Sequence, residues 1–137
     1  MHVVPYLFFD GRCQEALDFY GKAIGAKTDA LMRFSESPDK SNVTEANKNN
    51  IMHAQFKIGD TTIFVSDGMG KGKPNFDGFS LTIAADNVND GKKSFDALAN
   101  GGTVTMPLSE TFFAKQFGML KDKFGVNWMV IVQKVPA

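Results

Sequence analysis

Four residues in the first half of this chain, Asp10, Phe19, Ala23 and Gly25, are each matched by an identical residue 76 positions later, at Asp86, Phe95, Ala99 and Gly101. Beyond the polar stretch 35–50 the offset shrinks: Gly59 finds its counterpart in Gly125, 66 positions on. The difference matches an insertion supplied by that stretch, which is rich in Ser, Asn, Lys and Glu. A fixed offset that changes once, at a loop, indicates a duplicated unit.

The patterning of each half has the same order. Val3 to Phe9 is a short apolar run with an early proline, which suits a strand at a sheet edge. Asp10 stands where an N-cap is expected. Cys13, Ala16, Leu17, Tyr20 and Ile24 then recur at three- and four-residue offsets, the signature of one buried helix face, and Gly25 marks its end. Thr28 to Phe34 reads as a strand. Ile51–Ile58 and Thr61–Ser66 read as two more, joined at Gly59-Asp60 as a hairpin. After the glycine-rich linker 68–76 the sequence repeats: a strand over Phe79–Ala85, a cap at Asp86-Asn87, a helical face on Val88, Gly91, Phe95 and Leu98, and a stop at Gly101-Gly102. Strands follow over Thr103–Leu108, around Thr111–Lys121, and over Asn127–Val132. The expectation is one α+β domain of two βαβββ modules, 1–67 and 77–137. Two such halves side by side would enclose a trough lined with Phe and Met.

Composition sets bounds. With 137 residues, 13 of them Phe and 7 Met, the chain can build one sizeable core. Fifteen basic and fifteen acidic residues cancel, so there is no electrostatic case for nucleic acid or for an anionic membrane surface. Lys71 and Lys73, the nearest approach to a basic cluster, read as a solvated loop. One cysteine, Cys13, rules out an internal disulfide and reads as an inert core thiol. The longest apolar run is seven residues, against about 20 for a membrane helix. The opening residues lack the basic and apolar regions of a leader. The expectation is a cytoplasmic protein.

The segments Pro5-Tyr6-Leu7-Phe8-Phe9, Ala16-Leu17-Asp18-Phe19-Tyr20, Met52-His53-Ala54, Val65-Ser66-Asp67, Gly78-Phe79, Glu110-Thr111-Phe112 and Asp122-Lys123-Phe124-Gly125-Val126-Asn127-Trp128 run from end to end. Together they resemble the PhnB-like branch of the glyoxalase/bleomycin-resistance/dioxygenase (vicinal oxygen chelate) superfamily. The resemblance implies curved mixed sheets pairing around a central cup, and a homodimer. Its enzymatic members hold a divalent metal with His, Glu or Gln, one from each of four strands. By resemblance those positions fall at Pro5, Ile63, Phe79 or Ser80, and Met129, where the donors are missing, so no metal is expected. PhnB-like members often carry a methyltransferase label. No glycine-rich strand-to-helix turn is present to seat an adenosyl group, and no cofactor is expected.

Candidate ligand-binding residues are Phe8, His53, Asp67, Phe79, Glu110, Phe112 and Trp128. His53 has two readings: a cup-facing donor or general base, or a core histidine satisfied by a carbonyl or a neighbouring hydroxyl. Asp67 pairs with His53 or caps a turn. Glu110 is either an inward carboxylate or a surface one. Trp128 is expected to line the cup or an interface through its indole N–H. Two functional readings follow: a protein that binds a small, largely apolar molecule in a metal-free aromatic cup, or a metal-dependent superfamily enzyme using His53, Asp67 and Glu110 as substitute ligands.

Overall fold

A computed structural model of the chain describes residues 1–134. The chain divides into two compact units, the first Met1–Pro74 and the second beginning at Asn75.

The first unit runs β1 (Tyr6–Phe8), α1 (Cys13–Ile24), β2 (Lys27–Arg33), a single 3₁₀ turn at Phe34–Glu36, β3 (Ile51–Ile58) and β4 (Thr61–Ser66). Its sheet order is β1-β4-β3-β2, with β1 parallel to β4 and the other pairs antiparallel. The helix buries Cys13, Ala16, Leu17 and Tyr20, as the spacing predicts. Tyr20 stacks on Phe56 with ring centroids 5.8 Å apart, so Leu7, Ala54, Phe56, Ile63 and Val65 fill the layer beneath α1. Strand alternation then sends their neighbours Tyr6, Phe8, His53 and Phe64 to the other face. Gly25 ends the helix in the left-handed region (φ 69), where a side chain would be strained.

The second unit repeats this plan: β5 (Leu81–Ala84), α2 (Val88–Ala99), β6 (Thr103–Ser109), β7 (Ala114–Lys121) and β8 (Asn127–Gln133). Its order is β5-β8-β7-β6, with β5 parallel to β8. Strand for strand this is the topology of the first sheet, and each helix has twelve residues. The α+β class and the paired βαβββ plan are therefore as the repeat arithmetic predicts. Asn87 caps α2, its Oδ1 accepting from the Asp90 N–H at 2.8 Å.

Two local expectations are corrected. Asp10 does not cap α1: it lies in the left-handed region (φ 48), and Arg12 takes the cap position without a side-chain bond. The first strand is shorter than its apolar run, because Pro5 supplies only a carbonyl, which accepts from Phe64 N–H at 2.9 Å. Glu110 falls past the end of β6, outside a strand. Among the described residues, no helix is long and apolar enough to cross a membrane.

Gly91, on the buried face of α2, allows close approach of helix and sheet. A Cβ there would collide with Gln116 Oε1 and lie 3.1 Å from Val132 Cγ2. Alanine in a helix ordinarily gains about 1 kcal/mol over glycine. Here Gly91→Ala is expected to destabilise instead, by about 1–3 kcal/mol through overpacking. Urea unfolding monitored by far-ultraviolet circular dichroism checks the sign.

Candidate functional site

Asp67 follows β4, and its side chain is almost wholly buried. Its Oδ1 accepts from Gly11 N–H and Cys13 N–H, each at 2.8 Å, and its Oδ2 accepts from Ile51 N–H at 2.8 Å. The carboxylate thus caps the start of α1 from a remote strand and fastens the first residue of β3. A negative charge at a helix N-terminus is favourable, and donors left unmatched there would be costly. The sequence leaves open pairing with His53 or capping a turn; Asp67 instead caps the start of a remote helix and makes no bond to His53. The same corner raises the Cys13 thiol far above its ordinary range, through burial first and the charge of Asp67 second.

Turning the chain just after this anchor needs glycine. Gly68 is in the left-handed region (φ 71); its N–H donates to Ser66 Oγ at 2.9 Å. A Cβ at Gly68 would press on the Phe8 ring at 3.3 Å. The ring of Phe8 lies close beside the bend, half exposed, and walls two cavities. One, of about 430 Å³, is formed by Phe8, Asp10, Asp67 and the loop Gly68–Pro74. The other, of about 270 Å³, lies among Tyr6, Phe8, Phe34, Ser37, Asp39, Asn42, Met52, Ser66, Gly68 and Met69.

Phe8 also belongs to a four-ring cluster on the face away from α1. Tyr6 and Phe8 stack at 4.8 Å, and Phe64 meets Tyr6 at 5.9 Å and His53 at 5.2 Å, both edge-on. Strand parity, which the sequence left undecided for His53, resolves here: the imidazole stands on the face opposite Ala54 and Phe56. Its Nδ1 is 2.9 Å from Tyr6 Oη. Burial raises the Tyr6 phenol above its ordinary value, offset in part by the Ser66 hydroxyl. The direction of the Tyr6–His53 bond follows the imidazole tautomer, since either ring nitrogen can carry the proton. His53 is satisfied by a neighbouring hydroxyl, yet half exposed rather than in the core.

The remaining candidates belong to the second unit. Trp128 is buried under α2, its Nε1–H donating to Asp122 Oδ2 at 2.9 Å. The half-polar surface position expected of it is replaced by a fully satisfied core one, because the Asp122 turn provides the acceptor. Asp122 Oδ1 further accepts from Phe124 and Val126 N–H at 2.9 and 3.0 Å. Phe79 is half exposed. Glu110 is exposed, with Lys134 Nζ 3.9 Å away. Phe112 is 92% exposed and meets Phe113 edge-on at 5.2 Å.

The donor chemistry does not fit a resident metal. Ile63 lies in the buried layer beneath α1, and the residue facing the other way on that strand is Phe64, which also lacks a donor atom. Among the described residues no three His, Cys, Asp or Glu side chains gather as a metal would require. Nor do the strand-to-helix turns, Phe9-Asp10-Gly11-Arg12 and Ala85-Asp86-Asn87, have the glycine-rich form that cradles an adenosyl cofactor. The sequence places Tyr6 among the aromatics able to line a trough, but Phe64 and Met69 were missed.

Comparison with known proteins places this geometry in context. The family described as 3-demethylubiquinone-9 3-methyltransferase matches over residues 1–131. Protein YjdN of Escherichia coli K12 is 37% identical, over 98% of this chain and 97% of its own. The crystal structure of PA1353 from Pseudomonas aeruginosa has a TM-score of 0.88 at 36% identity, covering 98% of this chain and 99% of that one. A glyoxylase/bleomycin resistance protein/dioxygenase domain from Frankia sp. EAN1pec has a TM-score of 0.66 at 17% identity, covering 98% of each chain, a likeness of fold alone.

Two outcomes follow from the Asp67 corner. Asp67→Ala is expected to cost about 3 kcal/mol or more, since three buried N–H groups lose a charged acceptor; denaturant unfolding measures it. Cys13 is expected to resist a disulfide-exchange reagent in the folded protein and to react fully in denaturant, which a thiol titration reads directly.

Proposed function

Starting from a chain that belongs to the PhnB-like family described as 3-demethylubiquinone-9 3-methyltransferase, we propose a metal-free binding protein for a small, largely apolar molecule. The observation that supports this is the Phe8 ring, held half exposed between cavities of about 430 and 270 Å³. Cavities of a few hundred Å³ with an aromatic wall and a few fixed polar groups suit a small-molecule ligand. Affinity would come from apolar area covered against Phe8, Tyr6 and Met69, at about 25 cal/mol per Å². The Tyr6–His53 pair would help to orient the ligand through a hydrogen bond. Methyl transfer is not part of this reading, because neither strand-to-helix turn suits an adenosyl donor. Pairing of two copies is proposed with it, since β2 and β6 are exposed along most of their length and an exposed edge invites a partner.

The test uses N-phenyl-1-naphthylamine, a neutral probe whose fluorescence rises on leaving water. Saturable binding is expected, weakened about tenfold by Phe8→Ala through lost apolar contact. Absence of saturable binding contradicts the proposal. Sedimentation velocity at micromolar concentration tests the pairing, with a mass near twice that of one chain as the expected result.

A further inference from the structure

The larger cavity has a charged mouth that the neutral reading leaves unused. Its loop carries Lys71 and Lys73, both exposed and neither in an ion pair among the described residues. The two acidic groups on the lining differ in what they have left to give. Asp67 has both oxygens occupied by three backbone N–H groups, which leaves Asp10 as the only carboxylate free to compete with two ammonium groups.

The backbone of the loop points the same way. Gly68, Gly70 and Gly72 have positive φ (71, 71 and 96), whereas Met69, Lys71 and Lys73 do not. Alternation of sign along successive residues turns neighbouring N–H groups toward a common concavity, the arrangement that holds anions elsewhere. The N–H groups of Lys71, Gly72 and Lys73 donate to no protein acceptor among the described residues. An apolar wall, two unpaired ammonium groups and free N–H donors thus border one cavity.

We propose that the ligand of the Phe8 cavity is an amphipathic anion: an apolar or aromatic body bearing one carboxylate, sulfonate or phosphate group, the body against Phe8 and Met69 and the anion at Lys71, Lys73 and the loop N–H groups. This deepens the binding reading above and rests on it. Charge-assisted bonds from lysine and backbone N–H to an anion are stronger than neutral ones, so the anion adds affinity to what the apolar body supplies. The lysines that read as a merely solvated loop in the sequence become the selective element.

The experiment compares two probes that share one skeleton, N-phenyl-1-naphthylamine and its sulfonate, 1-anilinonaphthalene-8-sulfonate. The sulfonate is expected to bind about tenfold more tightly, and the advantage should shrink as sodium chloride rises from 50 to 500 mM, roughly as screening of exposed charge requires. Lys71→Gln/Lys73→Gln should abolish the advantage while leaving the neutral probe within about twofold, and Lys71→Arg/Lys73→Arg should retain it. Equal affinities for the two probes, or a sulfonate affinity untouched in the Gln variant, overturn the anionic class while leaving an apolar binder standing. Failure of both probes to bind overturns the binding reading and this inference together.

Discussion

One buried carboxylate holds the first unit together beside the Phe8 cavities. Asp67 gathers N–H groups from the loop before α1, from the first residue of α1 and from the first residue of β3. These strands of chain come from positions far apart in sequence, and no apolar contact could fix them with the same directionality. Because the carboxylate is engaged inward, the chain after it must turn at once, and Gly68 makes the turn. Phe8, on the neighbouring strand, is then left beside a bend rather than under a side chain. The site is a by-product of the capping geometry: the demand of a helix terminus for an acceptor places an aromatic ring at the rim of a cavity.

The two units use one topology with different fastenings. In the second, α2 is capped locally by Asn87, which frees its sheet from any need for a remote anchor. The corresponding investment is in Asp122, which closes the β7–β8 turn and satisfies the indole of Trp128. A duplicated plan tolerates such divergence because the apolar layers, Tyr20 on Phe56 in one and Phe95 with Leu98 in the other, carry most of the packing. The polar devices at the ends of the elements are where the halves have become distinct.

Much of this was legible in the residues. Identical positions at a constant offset gave the duplication, and the three- and four-residue spacing of Cys13, Ala16, Leu17 and Tyr20 gave the helix face. The glycines at 25 and 59 marked a helix end and a hairpin. What could not be read were facts that depend on pairing across sequence distance. Asp67 capping a helix 54 residues away has no local signature, since a capping side chain is ordinarily sought just before the helix. Asp10 offered itself at that place and was wrong for it. The face of His53 depended on strand parity relative to a partner, and Trp128 found its acceptor in a turn whose closure the sequence does not reveal.

The first unit presents an aromatic wall, a Tyr6–His53 hydrogen bond and a glycine-lysine loop. Cys13 is buried there with its thiol held protonated. The most direct measurement of the central claim is a ¹H–¹⁵N correlation map of the chain titrated with 1-anilinonaphthalene-8-sulfonate. Shifts concentrated at Gly68, Met69, Gly70, Lys71 and Gly72, saturating with the fluorescence change, are the predicted result. Saturable shifts confined to residues 75–134, with the 68–73 amides unmoved, would contradict it.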